Sequence, residues 1–166
     1  HPLPVPRNNS LYNYKRQIEK GIIPKKLHEW TTRLIHSNTP FLIFFPKIEL
    51  MEKALPLFQQ LHAKIEAVHA EDPLRKEKVL ALRNEEVPGL LTTTILERGI
   101  TITNVQVAVV GAENKIFTDS ALIQIAGRAG RHKDFAAGDV VFYHHGISAE
   151  MDSAIRQIEA LNAVEV

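Results

Sequence analysis

The hydrophobic and polar positions of the chain follow two periods, and the switches between them predict the order of strands and helices. Short segments with the pattern of strands occupy 41–45, 64–70, 90–94, 105–110 and 140–143. Apolar residues recur at helical spacing over 11–20, 24–36, 47–63, 73–84, 119–127 and 149–161. Strands and helices therefore alternate from residue 40 onwards. This alternation predicts a single α/β domain with a mostly parallel sheet and helices on both faces.

The turns between these elements suggest how the chain is organised. Residues 1–39 are expected to form a lead-in and basic helices, and residues 40–166 the domain that contains the sheet. The Pro- and Asn-rich segment 1–10 is typical of extended chain. Asp72 precedes Pro73 at a predicted helix start, where Asp72 is expected to be the N-cap and Pro73 the first helical residue.

Composition and charge narrow the class of protein. A chain of 166 residues can bury a core of its own, and the absence of cysteine excludes disulfide frameworks and thiolate metal sites. No apolar run approaches the roughly 20 residues of a membrane-spanning helix. The net charge is +1, yet residues 1–36 carry seven Lys or Arg against two acidic residues. This basic segment either follows a phosphate backbone or forms a solvated helix pair, and both interpretations stay open.

A glycine-arginine helix is the most informative motif. Gln124, Arg128 and Arg131 are spaced to form one polar stripe on a helix. Gly127 and Gly130 each cost about 1 kcal/mol relative to alanine inside a helix, so the close approach of another body is expected there. The guanidinium fork of arginine suits phosphate and developing phosphoryl charge. The alternative is a helix end whose solvated arginines complement the helix dipole.

A threonine-rich segment follows one of the predicted strands. Ligands of open parallel sheets bind beyond the carboxyl ends of the strands, which points to the loops after Phe45, Thr94 and Val110. Hydroxyl groups at such an end can donate to phosphate oxygens without reading bases, and the segment supplies them at Thr92, Thr93 and Thr94. Gly99 allows a turn with positive φ. The alternative is simply the high β-propensity of threonine.

Two smaller groups of residues have less specific interpretations. His144 and His145 end a predicted strand, but no third ligand has the spacing of a metal site, so we expect a solvated pair. Trp30, Tyr12 and Tyr14 either stack on bases or anchor the N-terminal helices to the sheet, and anchoring is the preferred interpretation.

In chain order these segments resemble a known motor domain. Phe44-Phe45-Pro46, the threonine segment and the glycine-arginine helix resemble motifs IV, V and VI of the second RecA-like lobe of superfamily two helicases, over about residues 40–145. Within that superfamily, residues 93–101 and the following Asn104-Val-Gln-Val are similar to the ComFA-type late competence proteins. These are helicase-like ATPases associated with DNA uptake in bacterial transformation. The resemblance implies a RecA-like fold.

The resemblance also implies roles for the motif VI residues. Arg128 and Arg131 match the arginine fingers that act on ATP, and are the implied catalytic residues. Gln124 matches the leading polar residue of motif VI, and Gln124, Gly127 and Gly99 are the implied nucleotide-binding residues.

For motif V the resemblance implies contacts with nucleic acid. Thr93 matches the hydroxyl that touches the nucleic-acid backbone, and Thr92 and Arg98 are assigned to the same site. Thr101 departs from the aspartate that many relatives have at its position, often near the nucleotide ribose. A nucleotide contact at Thr101 is therefore in doubt.

The sequence lacks the parts that bind ATP. No glycine is followed by lysine, which excludes a phosphate-binding loop, and no Asp-Glu pair ends an apolar strand to hold magnesium. We therefore expect no cofactor on this chain alone and no metal site. ATP and magnesium are expected on a RecA-like lobe that precedes residue 1, so that only the complete protein is an ATP-hydrolysing DNA helicase or translocase.

The partners implied by the resemblance are that preceding lobe, single-stranded DNA and a membrane DNA-uptake channel. The implied location is the cytoplasm, with the inner face of the membrane as an alternative. Two other functions stay open at this point. One is a non-catalytic module that binds nucleic acid or protein, and the other is the same lobe from a primosomal or repair helicase.

Overall fold

The fold is built on one parallel sheet. The structure, a computed structural model, describes residues 2–93, 102–129 and 138–164. Within these residues the sheet has the strand order β1-β6-β5-β2-β4-β3, and every neighbouring pair is parallel. The strands are β1 Arg7–Ser10, β2 Phe41–Phe44, β3 Glu66–Val68, β4 Gly89–Thr92, β5 Gln106–Val110 and β6 Val140–His144.

Helices cover both faces of this sheet. They are α1 Tyr14–Glu19, α2 Lys25–His36, α3 Ile48–Gln59, α4 Arg75–Arg83, α5 Asp119–Ala126 and α6 Ala149–Val164. Alternate strand residues point to opposite faces, so Leu42 lies in a first core with α4, α5 and α6, whereas Ile43 lies in a second core with α1, α2 and α3. The predicted fold class is confirmed. Among the described residues, none of the helices has the length and apolar character needed to cross a membrane.

The edge strand β1 was not predicted from the sequence. Its residues, Arg-Asn-Asn-Ser, are polar and carry no apolar alternation. They form a strand because their backbone pairs with β6 in register, with Arg7 opposite Val141 and Ser10 opposite His144. The N–H of Leu11 then donates to the carbonyl of His144 at 2.6 Å. Residues 7–10 of the predicted extended segment are therefore a strand of the sheet.

The predicted N-cap at Asp72 is wrong. Helix α4 begins at Arg75, and Leu74 occupies the N-cap position. Asp72 Oδ1 accepts a hydrogen bond from the N–H of Leu74 at 2.8 Å within the preceding turn, and its Oδ2 pairs with Lys78 Nζ at 2.7 Å. The hydrogen bond from Lys78 holds the pKa of Asp72 below its usual value. Asp72 thus fixes the turn and not the helix start.

Asp139 connects the N-terminal helices to the sheet. Its Oδ2 accepts from Trp30 Nε1 at 3.0 Å, and its carboxylate is bound in bidentate fashion by Arg7. Trp30 is 1% exposed and meets the ring of Phe41 edge-on, with the centroids 6.1 Å apart. The preferred interpretation of Trp30 as an anchor is therefore confirmed.

The two tyrosines of the N-terminal segment differ from each other. Tyr14 is buried in the second core, as an anchoring residue should be. Tyr12 is 63% exposed, so its predicted anchoring role is wrong. The difference arises because Tyr14 begins α1 and faces the sheet, whereas Tyr12 lies in the turn before the helix.

The pH dependence of unfolding is expected to report on Asp139. Burial favours the neutral carboxyl, but hydrogen bonds from Arg7 and Trp30 outweigh it and hold the pKa of Asp139 below its usual value. Such a carboxyl stabilises the fold above its unfolded pKa of about 3.9 and loses that contribution as the pH falls through the folded pKa. Asp139→Asn is expected to lower the free energy of unfolding at pH 7 by about 1–3 kcal/mol, and by less at pH 3.

Urea unfolding of the 166-residue chain at the two pH values measures this effect. Asp152→Asn serves as the control, because Asp152 is an exposed carboxylate in the first turn of α6. A loss from Asp139→Asn that has the same size at both pH values would show that the charge of Asp139 does not matter.

Candidate functional site

The predicted motif IV and motif V segments are neighbours in the structure. Strands β2 and β4 pair so that Phe44 lies opposite Thr92, and the N–H of Phe45 donates to the carbonyl of Thr92 at 2.8 Å. Both segments therefore leave the sheet at its carboxyl edge, side by side. This is the edge at which parallel sheets bind ligands.

Thr92 and Thr93 differ in accessibility. Thr92 is fully buried, and its Oγ1 has no hydrogen-bond partner in the described part of the chain. Thr93 is only half-buried. Of the two predicted nucleic-acid contacts, Thr93 is the one that solvent reaches in this conformation.

Lys47 is a further candidate site residue at this edge, and it was not predicted. Phe44, Phe45 and Pro46 are all buried, so the motif IV lead presents no side chain at the surface. Lys47 follows them, is exposed, and occupies the N-cap position of α3, where no side chain caps the helix. Its ammonium and the N–H groups of the first turn favour an anion. In the sequence, Lys47 could have been recognised as the first charged residue after the apolar run of a buried strand.

Helix α5 carries the glycine-arginine motif. Thr118 is its N-cap and accepts a hydrogen bond from the N–H of Ala121 at 3.1 Å, as a threonine at this position should. Leu122 and Ile125 are buried in the first core, whereas Gln124 is exposed. The helix therefore turns its apolar face to the sheet and exposes Gln124, but it ends at Ala126, so the prediction that Arg128 lies on the same helix is wrong.

The turn after α5 positions Arg128. The N–H of Arg128 donates to the carbonyl of Ile125 at 3.0 Å, and that of Ala129 donates to the carbonyl of Ala126 at 3.2 Å. Arg128 is half-buried, and Ala129 is fully buried in the first core. The backbone of Arg128 is thus held by the same packing that holds the helix.

Neither the backbone conformation nor the packing of the described residues requires a glycine at Gly127. Its φ of −66° and ψ of −10° are ordinary right-handed values. A Cβ built on Gly127 would come no closer than 3.4 Å to any described atom. Gly89 differs, because a Cβ there would overlap the ring of Phe41. The described residues therefore do not account for a glycine at this position, and the close approach of another body stays a prediction.

Several predicted site residues cannot be placed. They lie outside the described residues: Arg98, Gly99, Gly130 and Arg131, together with Thr94 and Thr101. The structure thus places Thr92 and Thr93 at one strand end, and Gln124, Gly127 and Arg128 around the end of α5.

The predicted solvated histidine pair is wrong for His144, whereas His145 is exposed as predicted. His144 is 6% exposed, and its Nδ1 accepts from the N–H of Gly146 at 2.9 Å. Burial lowers the pKa of His144. His145 stacks on Tyr14 and pairs with Glu113, with 3.2 Å between His145 Nε2 and Glu113 Oε2. The described residues contain no cluster of His, Asp or Glu arranged for a metal ion.

Comparison with protein families shows to which family the chain belongs. The family described as Helicase conserved C-terminal domain matches residues 23–133, which run from the segment before α2 to beyond α5. The chain belongs to this helicase family. Strands β1 and β6 and helices α1 and α6 of the chain lie outside the matched residues.

Two curated relatives are similar to the helicase domain over nearly its whole length. Competence protein ComFA of Bacillus subtilis is 44% identical over 161 residues, which is 97% of the chain. Competence protein ComFA of Streptococcus pneumoniae is 37% identical over 164 residues, or 98% of the chain. The helicase domain spans 35% and 38% of the lengths of these relatives. The predicted resemblance to this family is confirmed.

A solved helicase structure has the same fold. Dbp5 of S. cerevisiae, in a structure bound to RNA and ADP BeF3, superimposes with a TM-score of 0.62 at 17% identity. The match covers 95% of the helicase domain and 39% of the Dbp5 chain. At this identity the likeness concerns the fold alone, and it confirms the predicted RecA-like architecture.

Proposed function

We propose that this helicase domain is the motor lobe of an ATP-dependent DNA helicase or translocase that serves DNA uptake in competence. Its partner would be an ATP-binding RecA-like lobe of the same protein. The observation that carries the proposal is the turn after α5. There Arg128 follows a glycine that neither the backbone conformation nor the packing of the described residues requires. The similarity to the ComFA proteins supports the pathway.

The chemistry proposed for this turn is charge stabilisation. During phosphoryl transfer, negative charge spreads over the oxygens of the γ-phosphoryl group, and a guanidinium can bind two of them at once. Arg128 and Arg131 would supply these guanidinium groups when the two lobes close. Gln124 lies on the exposed face of α5 and would help to orient the nucleotide. The absence of a side chain on Gly127 would let the facing lobe approach the backbone.

Magnesium does not fit the residues of this chain. The sequence has no phosphate-binding loop, and the described residues hold no acidic cluster suited to a metal. We therefore assign the magnesium ligands to the partner lobe and derive no step through the ion.

This division of labour predicts where ATP hydrolysis is found. The 166-residue chain alone is expected to show no steady ATP turnover, because it lacks the phosphate-binding loop. The complete protein is expected to hydrolyse ATP faster when single-stranded DNA is added. A phosphate-release assay on both proteins, with and without DNA, tests this. Turnover by the chain alone that stops when magnesium is chelated would contradict the proposal.

The proposed nucleic-acid contact runs along the carboxyl edge of β2 and β4. Thr93 would donate its hydroxyl to one phosphate, with Thr92 and Arg98 in the same segment. Lys47 would neutralise another phosphate. It lies at the start of α3, just after β2, and β2 and β4 end at the same edge of the sheet. Such contacts ignore base identity, so binding should be independent of sequence. The exposed Tyr12 and the basic residues of α1 and α2 stay open as further contacts.

Salt dependence gives a measurement of the Lys47 contact. Loss of one phosphate contact is expected to reduce the slope of log affinity against log salt by about 0.7 for a single strand. We expect this change for Lys47→Ala in the complete protein, and weaker binding with an unchanged slope for Thr93→Ala. Fluorescence anisotropy with a labelled oligonucleotide at several salt concentrations measures both.

Lys64 provides a matched control for Lys47. It is also an exposed lysine, but it precedes β3 and so lies at the opposite edge of the sheet. Lys64→Ala should leave both the affinity and the slope unchanged. Equal effects of Lys47→Ala and Lys64→Ala would indicate a general charge effect and remove Lys47 from the site.

A further inference from the structure

Helix α6 is hydrogen-bonded to the first residue of helix α5. Asp119 opens α5, and its Oδ2 accepts hydrogen bonds from Ser153 Oγ and from Gln157 Nε2, both at 2.9 Å. Ser153 and Gln157 are one turn apart on α6, and Gln157 Nε2 also donates to Ser153 Oγ at 3.0 Å. These hydrogen bonds fix the start of α5 against a helix that lies outside the family match.

The end of α5 is held indirectly, through the lead-in before β1. The N–H of Leu3 donates to Asn162 Oδ1 at 2.8 Å, and Asn162 Nδ2 donates back to the carbonyl of Leu3 at 2.9 Å. One amide side chain on α6 thus binds both backbone groups of one lead-in residue. Such a reciprocal pair fixes the position and the direction of the lead-in together.

Leu3 carries this restraint to the glycine-arginine turn. Its side chain packs on the first core, together with Ile123 and Ile155. Its Cδ2 lies 3.9 Å from the position that a Cβ on Gly127 would take, so Leu3 lies beside the turn that follows α5. That turn also fixes the backbone of Arg128, through the hydrogen bond to Ile125. A shift of Leu3 would therefore be passed to Arg128.

We propose that Asn162 is a positioning residue, which fixes the lead-in at Leu3 and thereby sets where the turn after α5 presents Arg128. The inference rests on the proposed role of Arg128 in ATP hydrolysis. It adds that the restraint comes from two segments beyond the helicase family match.

Geometry of this kind affects turnover more than ground-state binding. A misplacement of about 1 Å can cost a factor of about 10² in rate. Asn162→Ala and Leu3→Ala remove the restraint from its two sides. In the complete protein, each is expected to lower kcat for DNA-stimulated ATP hydrolysis by at least tenfold, while KM for ATP changes less than twofold.

A double-mutant cycle separates positioning from a general loss of stability. If Asn162 acts through Arg128, Asn162→Ala should cause no further loss in an Arg128→Ala background. Single-turnover hydrolysis is sensitive enough for the residual rates. Glu159→Gln is the control, because Glu159 is exposed on the same helix. The thermal midpoint of each variant shows whether it is folded at the assay temperature.

The outcomes separate this inference from the proposed function. An unchanged kcat in Asn162→Ala and Leu3→Ala would overturn the inference, as would the same fractional loss with and without Arg128. If Arg128→Ala is severely impaired in that case, the proposed function still holds. Normal turnover in Arg128→Ala would overturn both. A loss that vanishes in the Arg128→Ala background would support the inference.

Discussion

Arg128→Ala and Arg131→Ala in the complete protein are expected to lower DNA-stimulated ATP turnover by about 10³–10⁵, the range measured for arginine fingers. The reason is that each guanidinium acts on charge that develops only during phosphoryl transfer. The affinity for ATP should therefore change far less than kcat. Lysine should not rescue either position, because it offers a point charge and not a planar fork.

Folding and DNA binding distinguish a catalytic from a structural role of these arginines. The proposed DNA contacts lie at the ends of β2 and β4, so the DNA affinity of Arg128→Ala should be normal. Its thermal midpoint should also stay close to that of the parent protein. Arg156→Ala, an exposed arginine on α6, is the control. Normal turnover in Arg128→Ala and Arg131→Ala would favour a non-catalytic binding module, whereas lost turnover with a collapsed midpoint would make the arginines structural.

Gly127→Ala is expected to separate stability from activity. Gly127 has right-handed backbone angles and space for a methyl group, so alanine should leave the 166-residue chain as stable or stabilise it by about 0.4–1 kcal/mol. In the complete protein the same methyl group would stand beside Leu3, at the turn that the facing lobe is proposed to approach. We expect a fall in ATP turnover of about 10–100-fold from the resulting misplacement.

Two other glycines provide controls for Gly127→Ala. Gly146 also has open space around it, so Gly146→Ala should change neither stability nor turnover. Gly89→Ala should destabilise the chain, because the new Cβ would overlap Phe41. Urea unfolding and ATPase assays on the three variants measure these effects. Unchanged turnover in Gly127→Ala would mean that no partner approaches this turn.

The parts of the fold that could be predicted from sequence are those in which burial dictates residue type. Segments 41–45 and 107–110 are continuous apolar runs because β2 and β5 have helices on both faces. Strand β1 could not be predicted, because an edge strand is held by backbone hydrogen bonds that polar residues make equally well. Helix α4 was predicted correctly apart from its first residues, where the side chain of Asp72 bonds within a turn.

Only those features of the site that depend on residue spacing within one element could be predicted from the sequence. The exposure of Gln124 follows from helical periodicity, but the end of α5 at Ala126, which places Arg128 in a turn, does not. The exposed position of Lys47 beside the β4 end depends on which strands are neighbours, and sequence spacing does not give strand order. The hydrogen bonds between Asn162 and Leu3 join the two ends of the chain, and no local pattern in either segment indicates them.

The pairing of β1 with β6 has a consequence for how the chain folds during synthesis. Arg7 leaves the ribosome before its partner Val141, which lies in the last strand of the described sheet. At 5–20 residues per second, β1 waits for roughly 7–27 seconds without its neighbour. Its polar side chains keep this unpaired strand soluble during the delay. A pairing between such distant residues also has a high closure entropy, so its formation is expected to be a slow step of folding.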